Sequence, residues 1–208
     1  RCDGCQKRRE SEFLMNLPEI VQPGDWLIYY PKKMDLLDKV ITKATFGKVN
    51  HASMIKDAKT VFETDGDMFK AGYTPMADAE GRHVLVIRAK SLTGKETILN
   101  GLFEKYKNSP YGYGDLIAHG LFFWLAAPIR KKVVSFFGAK PFMVCSELVA
   151  RISFEAGGRE ELRDFEGFTP EDLIDTAHDY PEEYTFVADY DPNKKNESVP
   201  ASPDRSQI

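Results

Sequence analysis

The chain is short of cysteine. Its 208 residues hold three, at positions 2, 5 and 145, too few for a disulfide framework. It also lacks a basic excess. Its 28 Lys and Arg against 32 Asp and Glu give a net charge of -4 and a pI near 5.7. Tracking nucleic-acid phosphates takes a concentrated cationic face, and Arg130-Lys131-Lys132 is too short to be one. Nucleic acid is therefore not an expected partner. No apolar run reaches the about 20 residues of a spanning helix. The nearest, Leu116 to Ile129, is broken by His119, Gly120 and Pro128 and reads as a buried helix. No apolar stretch follows Arg1-Cys2-Asp3-Gly4-Cys5, so no secretory leader is expected. HExxH, GxSxG, GxGxxG and phosphate loops are missing as well.

What is present suffices for a core, with 42% hydrophobic and 29% charged residues. One domain of about 150 residues with extensions is the expectation. Residues 1–17 form an N-terminal extension, 18–190 the domain, and 191–208 a tail rich in Pro, Ser, Asn and charge. Pro23-Gly24-Asp25 turns the chain into a strand, Trp26 to Tyr30. Lys33 to Thr45 has helical spacing and ends at Gly47. His51 to Ile55 and Thr60 to Thr64 read as short strands, and Arg82 to Ala89 as a buried one. Thr93 to Lys107 reads as a helix with Ile98, Leu102 and Tyr106 on one face. Tyr113 to Phe137 is mostly helical, broken at Pro128. Val144 to Ala156 is a helix stopped by Gly157-Gly158. Thr169-Pro170-Glu171-Asp172 opens a short helix, with Thr as cap and Pro in first position. Tyr184 to Ala188 is a last strand. Consecutive strands followed by clustered helices predict an α+β fold with a largely antiparallel sheet.

Two residues carry the chemistry. Cys145 begins a helix, where free backbone N–H groups and the positive dipole end favour the thiolate, the nucleophilic form. The same N–H groups suit a developing oxyanion. A small buried hydrophobe is the alternative use of a lone Cys. His51 opens a strand among small neighbours, as a base facing a cleft or as a polar strand end. If the hairpin loop is Asp57 to Lys59, Lys56 faces Thr60. Asp65 then lies opposite His51 and Glu63 opposite Ser53. Either carboxylate could orient the imidazole, and a one-residue slip would turn both away. Cys2 and Cys5 form a CxxC, half of a four-ligand zinc or iron–sulfur site. With no second half in sight, a terminal relic or a reducible disulfide is the simpler reading. His83, His119 and His178 are weaker candidates. Tyr111-Gly112-Tyr113-Gly114-Asp115 is a substrate-contacting loop or a plain turn.

The ordered set Pro-Gly-Asp, His51-Ala-Ser-Met-Ile, Phe62-Glu-Thr, Tyr111-Gly-Tyr and Val144-Cys-Ser-Glu-Leu-Val resembles the circularly permuted papain-like branch of the NlpC-type superfamily. That branch holds bacterial and phage cell-wall amidases and endopeptidases and the lecithin:retinol acyltransferase-like proteins. The resemblance spans Leu17 to Ala188. It implies a papain-like fold with Cys145 as nucleophile, His51 as base and Glu63 as orienting residue. Tyr111 or Tyr113 would stand on the substrate side, and no cofactor is required. The implied activity is cysteine-dependent hydrolysis of peptide or peptidoglycan amides. A lipid- or lipopeptide-directed acyltransferase or esterase, suggested by the apolar insert Leu116 to Gly138, is one alternative. A non-catalytic structural protein on the same fold is another. The CxxC end and the tail suit protein partners in an assembly such as a phage tail.

Overall fold

The computed structural model describes residues 16–31, 48–65, 70–110 and 144–193. Their elements are α1 (Leu17–Ile20), β1 (Trp26–Tyr29), β2 (His51–Asp57), β3 (Thr60–Asp65), β4 (Lys70–Pro75), α2 (Met76–Glu80), β5 (Val84–Ala89), α3 (Glu96–Tyr106), α4 (Cys145–Gly157), α5 (Pro170–Asp179) and β6 (Tyr184–Tyr190). Short 3-10 turns at Lys90–Leu92 and Glu160–Leu162 complete them. The six strands form one antiparallel sheet in the order β4-β3-β2-β1-β5-β6. The chain is α+β, with its helices packed on an antiparallel sheet.

Strand alternation divides the core. Trp26, Ile28, Ala52, Met54, Phe62, Leu85 and Ile87 share one apolar cluster with Leu148, Val149 and Ile152 of α4 and Leu173 and Ile174 of α5. Leu27, Tyr29, Ile55, Val61, Val84 and Val86 share the other with Leu17 of α1 and Met76 and Ala79 of α2. Helix α4 lies against β2 and β3. Its expected apolar face, Leu148, Val149, Ile152 and Ala156, is buried throughout. A buried hydrogen bond ties it to the sheet, with Trp26 Nε1 donating to Ser153 Oγ at 2.9 Å. The helix ends at Gly158, whose φ of 72° is a left-handed cap conformation that favours glycine. Thr169 caps α5 as read from the sequence, in a reciprocal box with Asp172 behind Pro170.

The turn before β1 is fixed by charge. Asp25 is 2% exposed and takes a two-pronged ion pair from Arg88 of β5, at 2.9 and 2.7 Å. Gly24 has φ 91°, and a Cβ there would stand 3.0 Å from Leu99 Cδ1. A side chain at this position meets both strain and a clash.

Two sequence expectations change. Helix α3 buries Leu99, Phe103 and Tyr106, while Ile98 is 49% exposed. The stripe of Ile98, Leu102 and Tyr106 is rotated by about one residue, because Phe103 is the side chain that meets Phe62, at 4.9 Å between ring centroids. Strand β4 and helix α2 were not legible as elements. The helices expected at Lys33 to Thr45 and Tyr113 to Phe137 lie outside the described residues.

One stability prediction follows from the sheet–helix tie. Ser153→Ala leaves the indole N–H of fully buried Trp26 without its acceptor. It should lower the unfolding free energy by about 1–3 kcal/mol in urea titration, with the slope unchanged.

Candidate active site

Cys145 is the first residue of α4. The two residues after it anchor that end. Ser146 Oγ donates to the Phe168 carbonyl at 2.6 Å. Buried Glu147 accepts from the Val144 N–H at 3.2 Å and from the Gly167 N–H at 2.6 Å. The Glu147 contact to Val144 is the carboxylate half of a capping box. Valine has no acceptor to supply the other half. The helix start is therefore bolted to the 165–169 loop, and with it the position of the thiol.

His51 is the first residue of β2. Its Nε2 donates to Glu63 Oε2 at 2.7 Å. The hairpin explains this contact. Asp57 pairs with Thr60, a bulge absorbs Lys56, and Ile55 and Met54 then pair with Val61 and Phe62. Carried on, that register sets Ser53 across from Glu63 and makes His51 its diagonal neighbour. The expected alignment is thus present, reached through a bulge rather than a three-residue loop. Asp65 ends β3, and its side chain lies outside the described residues.

With Nε2 committed to Glu63, the other ring nitrogen is free for the sulfur. Cys145 lies close enough to His51 to act on its protonation. Burial would pull the His51 pKa down. The Cys145 sulfur and then Glu63 outweigh it and raise the pKa from 6.5 to about 10. Burial pushes Glu63 up, but the bonds from His51 and Thr74 and the charge of Arg82 hold it below its ordinary 4.5. The arrangement is an imidazole held in its charged form between the Glu63 carboxylate and the Cys145 sulfur. The His51 and Glu63 side chains are 14% and 10% exposed, and Cys145 is 6% exposed.

Sequence reasoning missed the surround. Thr74 Oγ1 donates to the second Glu63 oxygen, Oε1, at 2.6 Å. The Tyr29 ring lies 5.1 Å from the His51 ring, with its hydroxyl 2.8 Å from Ser53 Oγ. The Arg82 guanidinium sits 4.3 Å from the other ring's centroid, that of Tyr29. The parity that sets Glu63 on the His51 face sets Thr74 there as well once β4 is paired with β3.

The remaining candidates fall elsewhere. His83 pairs with Asp189 at 2.6 Å and stacks on Tyr30. His178 packs against Phe186. Cys2, Cys5, Tyr111, Tyr113 and His119 lie outside the described residues. Among the described residues, no group of three or more His, Cys, Asp or Glu side chains could hold a metal. No helix there is long and apolar enough to cross a membrane.

No family model matches the chain, and no curated protein matches it. Among solved structures it is similar to the metalloprotein yiiX from Escherichia coli O157:H7. The TM-score is 0.46 at 19% identity, over 81% of this chain and 89% of that one. A likeness of that degree carries no argument about activity.

The opposed pKa shifts set a pH window. The raised His51 contributes stability that is complete below pH 6.5 and is lost as pH climbs toward about 10. The depressed Glu63 contributes stability present above pH 4.5 and lost as pH falls through its lowered value. The unfolding free energy of the wild type should therefore exceed that of Glu63→Gln most between pH 4.5 and 6.5. The gap should narrow on both sides, as read by urea titrations across pH.

Proposed function

We propose that this protein is a cysteine-dependent amide hydrolase, with Cys145 as nucleophile, His51 as acid and base, and Glu63 as the orienting carboxylate. The observation that carries the reading is the continuous line from Glu63 through His51 to a thiol on the first residue of a 13-residue helix. Papain-like architecture of the permuted kind is part of the same proposal.

The chemistry needs no further group. The Cys145 thiolate attacks the amide carbonyl carbon. The oxygen charge that develops faces first-turn amides of α4, which have no intrahelical acceptor. The C–N bond breaks as the His51 imidazolium gives its proton to the leaving amine, and a thioester remains. Water then attacks the thioester while His51 takes a proton from it. The carboxylate is released and the thiolate–imidazolium pair returns. Glu63 stays ionised and holds the ring in place. The substrate class is a peptide amide, and peptidoglycan stem peptides are the first to assay.

Iodoacetamide reads the nucleophile directly. At neutral pH it should alkylate Cys145 fast, and His51→Ala should slow alkylation by about 100-fold or more. Cys145→Ala should abolish amide hydrolysis while leaving the fold intact by circular dichroism. Slow labelling that ignores His51, together with no turnover of any peptide amide, would make the chain a non-catalytic scaffold.

A further inference from the structure

We propose that Thr74 is a positioning residue of this site, whose hydroxyl fixes the orientation and the ionised state of Glu63. The assignment rests on the Cys145–His51–Glu63 reading.

The geometry is symmetrical about Glu63. On one flank it is the diagonal neighbour of His51 on β2. On the other it pairs with Gly72 of β4, and Thr74 is two residues along. Glycine places no side chain across from the carboxylate, so the next group on that side is the threonine hydroxyl. Each Glu63 oxygen then takes one donor, Oε2 from His51 at 2.7 Å and Oε1 from Thr74 at 2.6 Å. A carboxylate held by a single donor can turn and swap its oxygens. Held from both sides, it cannot turn without breaking a bond.

The hydroxyl also acts on charge. An ionised carboxylate only accepts, so donation from Thr74 favours that form. The charged and titratable groups around Glu63 are His51 from β2, Tyr29 from β1 and Arg82 from the turn between α2 and β5, with Asp78 of α2 acting on Tyr29. Thr74 and Arg82 both hold Glu63 ionised. Of the two, only Thr74 does so through a short bond to an oxygen.

The test is the pH profile of Cys145 alkylation by iodoacetamide. Thr74→Val keeps the shape and removes the donor. Its acidic limb should move toward neutrality by about 0.4–1 pH unit, with the plateau rate about 2- to 10-fold lower. Thr74→Ser should return the limb toward the wild-type position. In a Glu63→Gln background the same Val substitution should move nothing further, since its partner has lost the charge. A limb that stays in place in Thr74→Val, or that shifts equally with Glu63→Gln present, overturns the assignment. Should Thr74→Val fail to fold, Thr74→Ala is read the same way. Wild-type alkylation that is slow and indifferent to His51→Ala marks a different failure, that of the triad itself.

Discussion

The Glu63 carboxylate is a buried negative charge, and the site depends on its being fully satisfied. An unpaired carboxylate in this position would take up a proton rather than stay ionised. His51 and Thr74 meet its two oxygens from two neighbouring strands, and Arg82 adds a positive field. The ionised carboxylate in turn lets a nearly buried imidazole carry charge. That charge stands beside the Cys145 sulfur. Each link exists only because the one before it is paired, so the three strands β2, β3 and β4 act as a unit.

The Cys145 thiol reaches this unit by other means. Helix α4 is fixed laterally by its apolar face against β2 and β3 and by the Trp26–Ser153 bond. It is fixed along its axis by Ser146 and Glu147, which hold its first turn to the 165–169 loop. Those two residues are buried and polar, and a helix start seldom buries polar side chains unless they are bonded. A displacement of about 1 Å between sulfur and ring would weaken the proposed dyad. The polar bolts at 146 and 147 hold that spacing where apolar packing alone leaves room for sliding.

Sequence reading located the parts whose signals are local. The place of Cys145 at a helix start is legible because that start and its apolar stripe lie within a dozen residues. Two-residue alternation survives a different loop length, so it sets Glu63 and Asp65 alike on the His51 face, and the family resemblance is what singles out Glu63. The Lys56 bulge removed the extra residue and restored parity. Strand β4 escaped because Lys70-Ala-Gly-Tyr-Thr-Pro has too few branched or apolar residues to read as a strand. It becomes one by pairing with β3 along its whole length. Thr74 was hidden with it. The rotated face of α3 shows the same limit, since Ile98 and Phe103 are equally apolar on paper and Phe62 decides between them. The roles suggested for Cys2, Cys5, Tyr111 and Tyr113 fall outside the described residues.

The order of these residues along the chain has a consequence for how the site assembles. His51, Glu63 and Thr74 are separated by 12 and 11 positions and meet within one meander of three strands. Such short loops close at low entropic cost. Cys145 arrives 82 positions after Glu63 and must dock a whole helix before it meets the ring. The carboxylate–imidazole contact is therefore the local one, and the approach of the sulfur is the long-range one that waits on the packing of α4 across β2 and β3.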